Sequence, residues 1–480
     1  MVSLRSLLCS ASTLRRFASD EKGMTLPMLA LTFLSVMGFV GTSVDIARLQ
    51  LVQSRLSFSL DAAGLAAGST LNTSNLNEEL AKYMTANFPA NYMGATTPAV
   101  TSEVSADNMI IDLAASTTMP TTFMNVFGIT SMNLSATSQV TRTSSGLELV
   151  LALDNTGSMA GTKLTSLKLA ATSLVNILYG SKTTVPNLWI GLVPFSQTVN
   201  IGTSRTSWID QVNFATLNWG PTSWGGCVDA RELNNRDKID DPPTIQTYKA
   251  YYSPSTDNRP APYNTFIYTS VNKWVTSRYH DGTPKTYATF TTTLGPNAYC
   301  PQVMTPMTSN KTTILNAVNS MVANGNTHTN LGALWAWNML SPRWRGLWGG
   351  EMTANSLPLD YGTKHMNKAM ILLTDGENTM NSTIFTAYGY LSDGRLGTTT
   401  NTAVAAATLD TKLSTVCTAM KTAGIYIYTI ALGNPGTNIQ TKLKACASAE
   451  NYYFNSPTSS DLAGVFNQIA DSLSSLRVSQ

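Results

Sequence analysis

The stretch Leu147-Glu148-Leu149-Val150-Leu151-Ala152-Leu153-Asp154-Asn155-Thr156-Gly157-Ser158-Met159 decides how this chain is read. An apolar run of strand length ends in a turn that sets one carboxylate and two hydroxyls on alternate positions. Oxygen donors in that spacing suit a hard divalent cation rather than one that prefers nitrogen or sulfur. The same residue types also populate ordinary turns and helix N-caps, so the string needs partners elsewhere in the chain.

Two distant segments supply them. Ile371-Leu372-Leu373-Thr374-Asp375-Gly376-Glu377-Asn378 is again a short apolar strand entering an Asp-Gly turn. Asn324-Gly325-Asn326-Thr327-His328-Thr329-Asn330-Leu331-Gly332 is a small-residue loop opening a helix that carries Trp335 and Trp337. Ligands of a parallel α/β sheet gather where strand-to-helix loops converge. The three loops together resemble the metal-ion-dependent adhesion site of a von Willebrand factor A (vWA) domain, whose pattern is D-x-S-x-S, then a Thr, then an Asp. Carried over residue by residue, the resemblance implies Asp154, Thr156, Ser158, Thr327 and Asp375 as metal ligands, with Thr156 standing where the family has its first Ser. Thr329 is a second candidate for the Thr position. The implied cofactor is a divalent metal, Mg²⁺ first, with Mn²⁺ and Ca²⁺ as alternatives. In that family the metal keeps an open position that accepts a carboxylate from a protein partner.

The alternation of elements extends the reading over the C-terminal two thirds. Strands are expected at 147–153, 188–195, 369–374, 425–432 and 452–454, with helices near 163–179, 309–323, 331–340, 403–422, 438–447 and 459–476. This is the pattern of a doubly wound, mainly parallel α/β sheet flanked by helices, the vWA/Rossmann-like class. Insertions interrupt it at about 200–305, 343–366 and 380–400. The first is rich in Trp, Tyr, Pro and Asn, including Trp208, Trp219, Trp224 and Trp274; the second holds Trp344 and Trp348. Such aromatics either rim the polar site, as in protein-recognition hot spots, or pack a satellite core beneath the loops.

The N-terminal part has a different character. Residues 23–44 (GMTLPMLALTFLSVMGFVGTSV) carry no charge and are long enough to cross a bilayer as a helix. Arg5, Arg15, Arg16 and Lys22 precede the span, which places residues 1–22 in the cytoplasm and sends the remainder outward. The run exceeds a signal-peptide core and has no small-x-small cleavage site directly after it, which favours an uncleaved anchor. Helical spacing continues from Asp45 through the small-residue stretch Leu60-Asp61-Ala62-Ala63-Gly64-Leu65-Ala66-Ala67-Gly68, implying one long helix that packs through its small face. A second helix is expected at 72–88, period-2 strands within 98–145, and a short helix over 120–128 closed by Gly128. Residues 45–145 thus form a small extracytoplasmic α+β module, and the vWA-like domain runs from 146 to 480.

Lys22-Gly23, the apolar span, Val44-Asp45-Ile46-Ala47-Arg48 and Asp61-Ala62-Ala63 resemble the N-terminal segment of TadG/TadE-like Flp pilus-assembly proteins over roughly residues 15–70. A downstream vWA domain is typical of the TadG-like type. The pilin-like processing pattern wants Glu where Met28 stands. The resemblance implies a bacterial inner-membrane protein, single-pass, with most of the chain periplasmic, working with other Tad pilus-assembly components or pseudopilins.

Composition narrows the function classes. Charged residues make up 12% of the 480-residue chain, against ~25% in a typical soluble domain, and the net charge is only +3. With no basic cluster interleaved with aromatics, nucleic acid is not an expected partner. His280, His328 and His365 lack metal-ligand spacing, and His328 is expected at the rim of the Thr327 loop. Of five cysteines, Cys9 falls on the cytoplasmic side. The other four face an oxidising compartment and allow three pairings, the local choice being Cys227–Cys300 with Cys417–Cys446; buried free thiols are the alternative. No acid/base constellation accompanies Asp154 or Glu377, so no enzyme activity is expected. Three readings follow in order: a membrane-anchored periplasmic vWA protein of Tad/Flp pilus biogenesis that grips a partner through metal, in assembly or adhesion; a metal-independent scaffold co-assembling with pseudopilins; and, last, a metal-dependent hydrolase.

Overall fold

A computed structural model describes residues 25–68, 76–105, 110–141, 146–255, 272–279, 282–456 and 458–478. Cys9, the basic flank and the first two residues of the apolar span lie outside the described residues. The chain divides into two compact units, Met1–Arg142 and Thr143–Gln480.

In the first unit, helix α1 (Thr25–Gly68) runs 44 residues without interruption. Its N-terminal half exposes Leu, Met and Phe side chains along its length. From Leu49 onward one stripe is buried, through Val52, Leu56, Leu60, Ala63 and Ala67. That stripe packs with helix α2 (Leu76–Asn87) and an antiparallel sheet of β1 (Ala99–Val104), β2 (Ile110–Pro120) and β3 (Ser131–Thr141) into one apolar cluster. The small-residue face packs on this sheet: a methyl group on Gly64 would lie 2.7 Å from Val140 Cγ2 and 2.9 Å from Leu113 Cδ1. Burial alternates along β2, as a sheet with one covered face requires. The expected short helix is a single 3₁₀ turn, Met124–Phe127, closed by Gly128 at φ 85°.

The second unit is built on β4 (Gly146–Asp154), whose nine residues are all buried. After helix α3 (Thr162–Tyr179) the chain returns as β5 (Leu188–Phe195), parallel to β4. Short strands β6 (Val199–Asn200) and β7 (Cys227–Val228) carry on from β5 into the first insertion, where β8 (Val275–Arg278) and β9 (Pro284–Tyr287) form a separate hairpin. Strand β10 (Thr305–Thr308) then pairs antiparallel with β5. Helices α4 (Lys311–Asn319) and α5 (Thr329–Leu340) follow. Strand β11 (Met366–Thr374) next enters on the other side of β4. Helix α6 (Thr402–Thr422), strand β12 (Tyr426–Leu432), helix α7 (Thr437–Cys446), strand β13 (Tyr453–Ser456) and helix α8 (Leu462–Val478) complete the domain. The order across the sheet is β13-β12-β11-β4-β5-β6-β7, and β13 through β5 are parallel.

This is the expected doubly wound α/β architecture of the vWA type. Leu164, Leu167, Ala171, Leu174 and Leu178 of α3 fall at helical spacing and pack with the sheet and with Phe466 and Ile469 of α8. All twelve residues of α5 are buried, so both Trp335 and Trp337 are core. Two charges also lie inside the sheet. Glu148 of β4 and Lys368 of β11 stand in direct register and form a buried ion pair. Glu148 also accepts the Leu359 N–H at 2.8 Å, and Lys368 donates to the Leu340 carbonyl at 3.0 Å. Neither charge disturbs the strands, because each has partners that replace water.

The aromatic insertions pack a satellite core. Trp208, Trp335, Trp344 and Trp348 are buried against one another with ring centroids 5.2–6.5 Å apart, and the Arg205 guanidinium lies over Trp208 at 5.2 Å. Trp274 stacks with Tyr287 around a second focus. The disulfides are Cys227–Cys300 and Cys417–Cys446, with Cα atoms 5.8 and 5.1 Å apart.

Candidate functional site

The strand order reverses between β4 and β11: the chain leaves β4 toward β5 and later returns to the opposite side. Loops leaving the carboxyl ends of two such strands diverge and open a crevice between them. Asp154 is the last residue of β4, and Asp375 directly follows β11. The fold therefore brings together two carboxylates that are 221 positions apart in the sequence.

A continuous set of hydrogen bonds joins them. Asp154 Oδ1 accepts the Thr156 N–H at 2.8 Å, and its Oδ2 accepts the Thr374 hydroxyl at 2.6 Å. The Thr156 and Ser158 hydroxyls are 2.9 Å apart. Ser158 donates to Asp375 Oδ1 at 2.6 Å, and the Lys163 ammonium donates to Asp375 Oδ2 at 2.6 Å. Asp154 is fully buried, and burial together with the Asp375 charge pushes its carboxyl up to about 6. A carboxyl raised this way favours the protonated form, or a cation close by.

The third loop reaches the same place through its backbone. Gly157 donates its N–H to the Gly325 carbonyl at 2.9 Å, and Asn324 donates to the Asn155 carbonyl at 2.7 Å. Thr327 is held two residues further on, its N–H on the Thr379 hydroxyl at 3.1 Å and its carbonyl accepting the Thr379 N–H at 2.9 Å. The N–H of Thr329 is bonded to Asn378 Oδ1 at 2.7 Å, while its buried hydroxyl has no hydrogen-bond partner. Asp154, Thr156, Ser158 and Asp375 thus form one network, with the Thr327 loop laid against its turn.

His328 does not lie at the rim, as expected, but is fully buried. Its Nε2 is 3.1 Å from the Thr379 carbonyl, and burial lowers its pKa to about 4, which keeps the ring neutral. The site sits at the junction of three packed loops, so the residue after Thr327 points into protein. Glu377 lies against Gly436 in the loop between β12 and α7.

Three supporting residues escaped the sequence reading. Thr374 is fully buried and anchors the second oxygen of Asp154; its position directly before Asp375 was its only signal. Lys163 belongs to the helix after the Asp154 turn and looked like an ordinary surface residue. Gln197 is fully buried, accepts the Asn326 N–H at 2.6 Å and donates to the Phe385 carbonyl at 2.6 Å. It thereby holds the Thr327 loop and the third insertion to the end of β5, and no motif marks it. Among the described residues no three His, Cys, Asp or Glu side chains cluster as a metal-binding group. The donor set here is two carboxylates with hydroxyls, the kind a hard cation prefers.

Residues 23–70 match the sequence model of the family described as putative Flp pilus-assembly TadE/G-like. The N-terminal segment is TadE/G-like. Within this segment Asp45, the acid of the Val44–Arg48 motif, is buried, and it accepts the N–H groups of Thr122, Phe123 and Met124 at 2.7–3.1 Å. Arg48 donates to the Thr122 hydroxyl at 2.6 Å and the Met93 carbonyl at 2.9 Å. The motif residues thus tie the TadE/G-like helix to the 120–129 loop.

The chain is also similar to solved vWA structures. One is the vWF domain of the type V pili tip protein Mfa5 from Porphyromonas gingivalis, with 12% identity over 69% of this chain and 95% of that chain, at TM-score 0.35. Another is the pilus adhesin SpaC from Lactobacillus rhamnosus GG in its open conformation, with 11% identity over 78% of this chain and 34% of that chain, at TM-score 0.32. A third is a von Willebrand factor type A protein from Catenulispora acidiphila, with 11% identity over 78% of this chain and 49% of that chain, at TM-score 0.29. The assignment of the fold rests on strand order and register, not on these likenesses. No curated protein matches the chain.

Proposed function

We propose that this chain is a membrane-anchored vWA protein of Tad/Flp pilus biogenesis that binds a protein partner through a divalent cation, in an assembly or adhesion role. The observation that carries the reading is the meeting of Asp154 and Asp375 at the switch point of the sheet, joined through Thr156 and Ser158. The site fits a hard cation on its own chemistry. Its donors are all oxygen, and Asp154 is buried beside a second carboxylate with its pKa raised. Asp154, Thr156, Ser158, Thr327 and Asp375 would hold the ion, Mg²⁺ in first place. When bound, the cation supplies a Lewis-acidic position for a carboxylate of the partner. Thr374 and Gln197 position the carboxylate and the loop, respectively. The proposed role is binding rather than catalysis, since His328, the histidine of the third loop, is enclosed. The anchor's orientation, with the N-terminus in the cytoplasm and the bulk periplasmic, rests on the basic residues before the span.

One observation favours the second reading, a metal-independent scaffold that co-assembles with pseudopilins. Lys163 already gives Asp375 a positive partner at 2.6 Å, so the network closes without an ion. A pull-down from solubilised cells with the full chain, in Mg²⁺ and in chelator, separates the two. Metal-dependent capture that Asp154→Ala with Asp375→Ala abolishes is the expected result. Equal capture by the folded double variant in chelator would leave only the scaffold.

A further inference from the structure

The turn between β2 and β3 is apolar where a surface turn is ordinarily polar. Val126 is 84% exposed, Phe127 63%, Phe123 44% and Ile129 43%. Between Asp112 and Arg142 the sequence contains no Asp, Glu, Lys, Arg or His. Four large apolar side chains displayed on one short turn form a patch that water does not favour.

The turn lies beside the apolar half of α1. A methyl group on Gly41 would sit 2.8 Å from Phe123 Cβ, and one on Gly38 would sit 3.0 Å from Phe127 Cζ. Gly38 is seven residues before Asp45, which at 1.5 Å per residue puts Phe127 about 10 Å along the axis inside the uncharged span. Leu31, Leu34 and Phe39 continue the same exposed apolar surface. A bilayer that covers this part of the helix must also cover the turn.

The backbone of the turn is fitted for that environment. Hydrocarbon supplies no hydrogen bonds, so a segment in lipid must satisfy its own N–H groups. Asp45 takes those of Thr122, Phe123 and Met124. Val126 donates to Phe123, Gly128 to Asn125, and Ile129 to Met124. The Thr121 N–H and hydroxyl go to the carbonyls of Thr130 and Ile129. The two charges at the base of the turn, Asp45 and Arg48, are both partnered, and its tip is apolar apart from the exposed Asn125.

We propose that residues 123–129 insert into the leaflet on the Asp45 side of the membrane as a second anchor, with Val126 and Phe127 among the acyl chains. The occupant of the groove between turn and helix is lipid. Two apolar elements locked together by Asp45, Gly38 and Gly41 would fix the rotation and tilt of α1, which a lone helix leaves free. The proposal rests on the reading of α1 as a membrane span.

The test uses the full chain with Cys9→Ser, its remaining cysteines being paired in disulfides. A single cysteine is placed by Val126→Cys, by Phe33→Cys in the span, or by Thr101→Cys on β1, then labelled with an environment-sensitive fluorophore. The proteins are reconstituted into phosphatidylglycerol–phosphatidylcholine vesicles with or without doxyl-labelled lipid. Expected are blue-shifted emission and loss of signal with doxyl lipid at 126 and 33, and neither at 101. Quenching at 33 with a 126 label that behaves like the one at 101 would overturn the insertion and leave the span standing. A label at 126 that is blue-shifted but unquenched would overturn it in favour of a protein occupant. Unquenched labels at both 33 and 126 would remove the span itself and the proposal with it.

Discussion

Replacing Asp154 by Asn should stabilise the metal-free protein while removing its response to metal. In the folded chain the Asp154 carboxyl stands at about 6 rather than 3.8, because it is buried and faces Asp375. Holding it ionised at neutral pH therefore costs about 3 kcal/mol of folding free energy. An amide keeps an oxygen for the Thr156 N–H. It also directs an N–H at the Thr374 hydroxyl, which can accept while donating to the Gly376 carbonyl 3.1 Å away. The sign follows from linkage. A carboxyl whose pKa is raised on folding favours the native state below its ordinary pKa and loses that contribution as pH rises through the folded value. Wild type and Asp154→Asn should be equally stable near pH 4, and the variant should lead by up to about 3 kcal/mol at pH 7.5 in chelator. All nine tryptophans lie beyond residue 143, so tryptophan emission during urea unfolding of the full chain in detergent reports this domain alone. The gap is read as a shift in midpoint at constant slope. Saturating Mg²⁺ at a hundredfold over its dissociation constant should raise the wild type by about 2.7 kcal/mol and leave the variant unmoved. A variant less stable than wild type in chelator, by the same amount at pH 4 and pH 7.5, would show that Asp154 is only a turn cap and would refute the argument.

Three further outcomes are expected. Glu148→Gln or Lys368→Met alone should lower stability by roughly 3–5 kcal/mol, because each strands a buried charge, whereas Glu148→Leu with Lys368→Met should recover most of the loss in the same urea assay. Removing Cys227–Cys300 by Ser substitution should cost about 4 kcal/mol, slightly more than the cost for Cys417–Cys446, since the loops closed are 73 and 29 residues; equal stability of the Cys227/Cys300 variant would show that the insertion contributes nothing to the unfolding reported by Trp. Asp45→Ala should free the 122–124 amides, and hydrogen exchange there should accelerate by about a hundredfold or more, the equivalent of roughly 3 kcal/mol of local protection; unchanged exchange would mean that packing of Phe123 and Phe127 holds the turn without the carboxylate.

The strands and helices of the vWA-like domain were legible because its buried strands read as largely apolar runs and its helices as 3.6-residue periods. The charged pair in the sheet was not, since Glu148 and Lys368 acquire meaning only through the register of β4 with β11. The aromatic insertions left two readings open, for a Trp in a long loop has the same composition whether it faces solvent or a neighbouring ring. Packing decided for a satellite core around Trp208, Trp335 and Trp344. His328 was misplaced for a related reason: sequence shows that a residue lies in a loop, not how many other loops close over it.

For the site, the local pattern Asp154-Asn155-Thr156-Gly157-Ser158 determined which oxygens one turn offers, because neighbours on a tight turn are fixed by covalent geometry. The apolar span 23–44 and its TadE/G-like continuation were determined in the same local way. That Asp375 stands opposite Asp154 with Lys163 on its far oxygen, and that Asp45 holds the backbone of a turn 77 residues away, only the tertiary structure decided. Hydrogen bonds act over about 3 Å. Chain separation does not set that distance; the order of strands in the sheet and the packing of the helices beside it do.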